Sequence, residues 1–235
     1  MIISIKHRLL IVTLLISPFI LLAQYGDIGG MSGTRMGDYL SYYGGSTGST
    51  SKLKSPEHYL FSGWENSGSV YVGKTVFRIN NINYDIKMGQ FMTKTDKDSL
   101  FIYDKNSIDS IAVNGKKYKK YYDPSSTTDR VVFAEIIFDS DGINILKGYY
   151  LSEVESSPNP MINRPKDVIK QRTRYFTTSG NTLVPFNLNK KNVLRQLKNS
   201  KQQDLAKNFA KENHLSFNSD SDVTMILKHT LNQME

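Results

Sequence analysis

The stretch Ile111-Ala112-Val113-Asn114-Gly115-Lys116-Lys117-Tyr118 decides the fold class. It joins two runs rich in β-branched and aromatic residues through Asn-Gly, and both central positions of a two-residue type I′ turn require φ > 0, which these residues tolerate best. The runs therefore read as strands over 107–113 and 116–122 folded into an antiparallel hairpin. The same grammar extends outward. Asp141-Gly142 marks a second hairpin between strands over 131–138 and 143–154, and Gly180-Asn181 marks a third, after a strand over 171–178. Upstream, Ile82, Tyr84, Ile86 and Met88 alternate with Asn81, Asn83, Asp85 and Lys87, the period-two signature of a strand with one buried face. Leu100–Tyr103 adds a further short strand. Closely spaced strands joined by tight turns, with no intervening helices, predict an antiparallel meander.

Beyond Pro185 the period changes. Val193, Leu194 and Leu197 share a helical face, as do Leu205 and Phe209, and Val223, Ile226, Leu227 and Leu231 recur at i, i+3, i+4 and i+8. Three short amphipathic helices follow, with capping boxes expected at Ser200/Gln203 and Ser219/Asp222 and a stop at Asn213-His214. Helices this short are marginal in isolation, so their apolar faces must pack on the exposed face of the sheet. The fold class is α+β: an antiparallel β-meander, sandwich-like or a curved sheet, carrying a short C-terminal helical segment.

Four segments divide the chain. Lys6, His7 and Arg8 precede an apolar run from Leu9 to Leu22, and Ala23 offers a small residue before Gln24. This order is that of a secretory signal peptide over residues 1–23. The run is too short for a span, which takes about 20 apolar residues. Residues 24–57 are rich in Gly, Ser and Tyr, and 43–51 in particular read as a flexible linker without fixed structure. Residues 58–185 form the β domain and 186–235 the helices. Pro158, Pro160 and Pro165 mark an irregular strand connection across 156–166.

Composition limits the chemistry. The chain has 235 residues and no cysteine, so disulfides, cysteine-based metal centres, thiol nucleophiles and N-terminal lipidation on cysteine are excluded. The expected address is exported, periplasmic or associated with the outer membrane, and not a lipoprotein. A formal charge of +8 concentrates at Lys116, Lys117, Lys119 and Lys120 and again from Lys190 to Lys211. It could attract an anionic surface, but solvated faces on a moderately basic protein are the simpler explanation. No basic–aromatic module for nucleic acid is present, and the helical end and the polar, uneven strands speak against a membrane barrel, which needs lipid-facing alternation throughout.

No motif specifies a reaction. Gly44-Gly45-Ser46-Thr47-Gly48 satisfies the nucleophile-elbow pattern, yet a strand before the serine and a helix after it are both missing. His58, His214 and His229 are scattered. Asp139-Ser140-Asp141-Gly142 starts like a calcium loop but places its glycine too early, and reads as a hairpin turn. Glu65, Asp85, Glu135, Glu153 and Glu155 are the acids near strands, with Asp85 and Glu135 expected on outward faces. Trp64 and the pairs Tyr121-Tyr122 and Tyr149-Tyr150 suit sugar stacking less well than packing, because adjacent strand residues face opposite ways. No catalytic, cofactor-binding or metal-ligating residue is assigned, and no cofactor is expected.

The signal end Leu21-Leu22-Ala23-Gln24, the strand text of 75–88, the stretch 107–115 and the closing helical text of 190–231 together resemble a broad class of exported β-rich Bacteroidota proteins of unknown function. The resemblance implies no activity. On these grounds the expectation is a non-catalytic binding or structural component of the bacterial envelope, with a periplasmic enzyme acting on glycan or peptide as the alternative. The expected partner is another envelope protein or an anionic surface, with no nucleic acid and no membrane span in the mature chain.

Overall fold

The computed structural model describes residues 46–49, 56–95, 99–126, 130–154 and 168–233. The signal segment 1–23, Tyr39 to Tyr43 and the proline-rich stretch 156–166 lie outside the described residues.

The strands are β1 (Ser46–Ser49), β2 (Gly68–Val72), β3 (Thr75–Ile79), β4 (Ile82–Asp85), β5 (Gln90–Lys94), β6 (Ser99–Ile102), β7 (Ser110–Val113), β8 (Lys116–Tyr122), β9 (Val131–Ser140), β10 (Ile143–Val154), β11 (Val168–Ser179) and β12 (Thr182–Phe186). Helices α1 (Lys190–Arg195), α2 (Ser200–Glu212) and α3 (Asp220–Asn232) follow. Strands β1-β6-β5-β4 form a four-stranded sheet, and β12-β11-β10-β9-β8-β7-β2-β3 form an eight-stranded one. The expected α+β fold, an antiparallel meander with helices packed on it, is what forms.

The larger sheet closes on itself. Strands β8 to β12 run as a five-stranded meander, and an odd number of antiparallel strands leaves the first and last pointing the same way. Closure must therefore be parallel, and it is: Thr182 pairs with Tyr122 in parallel register, with the Tyr122 N–H donating to the Asn181 carbonyl at 2.8 Å. Inside this small barrel sit Tyr121, Ala134, Leu146, Phe176 and Leu183, with Val132 and Ile136 beside them. Small barrels of this kind are filled by side chains.

The outer wall is covered twice. Towards one end the four-stranded sheet packs on it through Ile82, Tyr84, Phe91 and Phe101 against Ile111, Tyr118 and Phe133. Towards the other end the helices bring Val193, Leu197, Val223, Ile226 and Leu227 against Phe138, Ile143, Ile145 and Phe186. A β-bulge makes the second contact. Between Ile145 and Leu146 the β9–β10 register shifts, leaving Ile137 as the extra residue. Val132, Ala134 and Ile136 face the interior, but beyond the bulge Phe138 turns outward to the helices. Thr224 of α3 fixes the spot, its hydroxyl donating to the Ile137 carbonyl at 3.1 Å.

The turns follow their residues. Asn114 and Gly115 have φ of 50° and 79°, and Asp141 and Gly142 have 53° and 81°, the type I′ pattern. At Gly180-Asn181 only the glycine is positive, at 61°, as a type II′ turn requires. The α2–α3 break is a Schellman stop: the Leu215 N–H reaches the Ala210 carbonyl at 2.8 Å, with His214 at φ 55° in the left-handed position.

Several expectations are corrected. The alternating stretch 81–88 is a strand only through Asp85, because Ile86 to Gly89 turn into the β4–β5 hairpin. All four residues of β4 are buried, not one face. The polar face is covered by the chain at Phe61–Gly63, which Asn83 holds: its Oδ1 accepts from the Phe61 N–H at 3.1 Å, and its Nδ2 donates to the Phe61 and Gly63 carbonyls at 2.9 and 2.8 Å. The cap of α2 is Asn199 rather than Ser200; it accepts from the Gln202 N–H at 2.9 Å while Gln202 Oε1 accepts from the Lys198 N–H at 2.8 Å. Within the stretch read as linker, Ser46–Ser49 pair with Ser99–Ile102 as an edge strand.

Candidate functional site

A cavity of about 550 Å³ opens where the four-stranded sheet, the barrel wall and the projecting β10–β11 hairpin meet. That volume lies in the range of small-molecule sites, roughly 300–1,000 Å³. Its apolar surface comes from Ile86, Phe133, Phe176 and Leu183, and its polar groups include His58, Lys105 and Tyr149.

His58 is placed by both sheets. It ends the 3-10 turn Pro56–His58, and its carbonyl accepts from the Ile86 N–H at 2.9 Å. The Gln171 side chain of β11 donates to the flanking Glu57 and Tyr59 carbonyls at 3.2 and 2.6 Å. The imidazole is buried, and among the described residues neither ring nitrogen has a hydrogen-bond partner. Lys105 comes from the turn after β6 and is also buried, its ammonium donating to the Val131 carbonyl at 3.3 Å. Gly89, at φ 62°, brings the β4–β5 turn alongside: a methyl group there would lie 3.4 Å from the Lys105 ammonium and 3.6 Å from the Tyr84 hydroxyl. The rim is more polar, and at it the Arg174 guanidinium lies 4.0 Å over the Tyr150 ring.

Beside the cavity runs a partly buried polar seam. Register aligns Tyr118, Glu135, Lys147 and Tyr175 as neighbours across β8 to β11. Glu135 is buried and bonded by the Lys116 ammonium at 3.0 Å and by the Tyr149 hydroxyl. Asp220 of α3 takes the Lys147 ammonium at 2.7 Å and the Tyr175 hydroxyl at 2.8 Å. Burial raises the Tyr149 phenol above its ordinary range, and its bond to Glu135 raises it further. Burial acts likewise on Tyr118, reinforced by the charge of Glu135, and on Tyr175, reinforced by its bond to Asp220. The Tyr149 and Tyr175 phenols stay protonated and donate to Glu135 and Asp220, whereas the buried Tyr118 hydroxyl has no hydrogen-bond partner among the described residues.

The residues singled out in sequence scatter accordingly. Asp85 and Glu135, expected outside, are buried: Asp85 accepts from the Met88 N–H at 2.9 Å within the hairpin turn, and Glu135 serves the seam. The cavity's own carboxylates are Asp123, bonded by the Ser125 N–H and hydroxyl, and Glu153, exposed at the rim. Glu65 is exposed, and Glu155 lies outside the described residues. His214 follows the Asn213 C-cap of α2 in the left-handed position, and His229 stacks on Phe209 at 3.8 Å, so neither joins His58. Ser46 opens a strand instead of sitting on an elbow. Trp64 packs on Tyr59 at 5.3 Å, Tyr121 fills the barrel, and the lysines of β8 take separate partners in Glu135, Tyr71, Asp139 and the Asn106 carbonyl. Among the described residues no group of three or more His, Asp or Glu could hold a metal ion, and no helix is long and apolar enough to cross a membrane.

Lys105 and Gly148 were missed in sequence. Lys105 carries no signal there. Gly148 did: a glycine inside a strand marks a close approach, and a Cβ at 148 would come 2.8 Å from the Phe176 ring on the cavity wall. No protein-family model, no curated protein and no solved structure matches the chain.

Proposed function

We propose that this protein is an exported, non-catalytic binding component of the bacterial envelope that holds a small ligand in the cavity between the barrel and the four-stranded sheet. The observation that carries this is the cavity itself, about 550 Å³ with apolar walls and a few buried polar groups. Binding is favoured over catalysis by how the carboxylates are used. Glycan cleavage takes two carboxyl groups flanking the scissile bond, whereas Glu135 is engaged by Lys116 and Tyr149, Asp123 by its own turn, and Glu153 is exposed. Export is supported by the charged, apolar and small-residue order of residues 1–23.

The test has two parts. Envelope fractions of the producing cell should contain a product beginning at Gln24, read by N-terminal sequencing; an intact Met1 on a membrane-integral product would overturn the address. The purified protein should also retain a small molecule, detected by mass spectrometry of denatured samples. Turnover of glycan or peptide substrates would favour the enzyme instead.

A further inference from the structure

We infer that the open edge of β11 between Val168 and Arg174 docks an extended segment of another protein, a strand with acidic residues at alternate positions. β11 runs from Val168 to Ser179, whereas β12 pairs with it only from Tyr175 to Ser179. After Phe186 the chain leaves the sheet for α1, and among the described residues nothing pairs with the first part of β11 on the side away from β10. Lys170 to Arg174 are all exposed. In an antiparallel strand paired on one side, every second residue turns its N–H and C=O to the other side. This stretch therefore presents a row of backbone donors and acceptors, the template for strand addition.

The side chains select the occupant. Lys170, Arg172 and Arg174 continue, at period two, the face on which Phe176 enters the barrel. Their partners across β10 are Ser152, Tyr150 and Gly148. None of these is a carboxylate, and among the described residues none of the three cations makes an ion pair. Steps of about 6.6–6.8 Å separate alternate residues of a strand, so an added strand with alternating acids sets one carboxylate opposite each cation. Arg174 is held in place by its stack on Tyr150 at 4.0 Å, which covers the guanidinium face and leaves its in-plane N–H donors for a carboxylate. A second copy of the same edge is the wrong occupant. Antiparallel pairing centred on Arg172 would oppose Arg172 to Arg172 and Lys170 to Arg174, and like charges directly opposite are destabilising. The same cations thus repel self-association and favour an acidic strand.

The experiment is calorimetric titration of the full exported chain with three end-blocked peptides: one alternating glutamate with threonine, an isomer of it with the glutamates consecutive, and one alternating lysine with threonine. The first should bind at least tenfold more tightly than either of the others, and at saturation it should slow amide exchange at alternate residues between Val168 and Arg174. Lys170→Glu combined with Arg172→Glu, both at exposed positions, should weaken the acidic peptide at least tenfold and strengthen the lysine peptide. Lys201→Glu on α2 should change neither by more than threefold. Equal binding of the two acidic isomers, or binding that leaves β11 exchange unchanged, would overturn the inference in favour of a surface that senses charge alone. Preference for polygalacturonate or for phosphatidylglycerol vesicles over the alternating peptide would overturn it in favour of a glycan or a membrane. Failure of every peptide to bind would also overturn it, the cations then serving only to keep the edge solvated. None of these outcomes touches the cavity, whose ligand is read separately by mass spectrometry.

Discussion

At the residue scale the fold depends on a few positions where one side chain decides the backbone. Gly115 lies at φ 79°, with nothing near its absent Cβ, so the obstacle to substitution is conformational. Gly115→Val should cost about 1–3 kcal/mol, the usual range for a residue forced into such a region. Chemical denaturation checks this, with Lys201→Ala as the surface control; Lys116 would not serve, since it pairs with buried Glu135. Gly148 is the opposite case. Its Cβ would meet the Phe176 ring at 2.8 Å, so Gly148→Ala should shift that ring, lower the unfolding midpoint and reduce ligand affinity together. The seam phenols give a pH dependence with a definite sign. Tyr118, Tyr149 and Tyr175 are raised in the folded state, whereas an unfolded tyrosine ionises near pH 10. Above about pH 10 the unfolded chain therefore binds fewer protons, and stability falls as pH rises. Urea midpoints measured from pH 8 to 11.5 should decline from about pH 10, and Tyr149→Phe should flatten that decline.

At the scale of elements, legibility followed locality. Hairpins at Asn114-Gly115, Asp141-Gly142 and Gly180-Asn181 were readable because turn chemistry is a property of adjacent residues. The helices were readable because their faces recur at helical spacing. What failed was decided by neighbours distant in sequence. Asn83 and Asp85 look like an outward face until Phe61–Gly63 is laid across it, 20 to 22 residues away. Glu135 likewise looks solvent-facing, and is buried because α3 and β10 bring Asp220, Lys147 and Tyr149 to its side of the sheet. The α2 cap shifted by one residue because Asn199 caps as well as serine does, and spacing alone cannot choose between them. Asn199→Ala should accordingly cost about 0.5–2 kcal/mol, whereas Ser200→Ala should cost far less. The comparison is direct by thermal unfolding of the two variants.

For the whole molecule, the barrel is a small interior wrapped by two covers, and the question is whether the covers are separable. A meander of adjacent strands was predictable; its closure into a barrel was not, since the closing contact is a single parallel pair at Thr182 and Tyr122, 60 residues apart. The cavity was equally hidden, because its polar groups at 58, 105 and 149 come from three separate parts of the chain. Separability can be decided at the helical cover. Leu227, Ile226 and Val223 are fully buried against Phe138, Ile143 and Ile145 of the barrel wall, and Lys147 of β10 is bonded to Asp220 of α3. If the covers and barrel form one cooperative unit, Leu227→Ala should lower global stability by about 2–5 kcal/mol. Amide exchange in β9 and β10 should then accelerate by the matching factor, since these strands would open only with the whole protein. Ending the chain after Pro185 would remove Phe186 and the helices together, stripping the wall at Phe138 and Ile145, and that product should be insoluble or unfolded. Should it instead fold with native exchange in β9 and β10, the helices would be a separate element, and the barrel with its cavity would have to be stable without them.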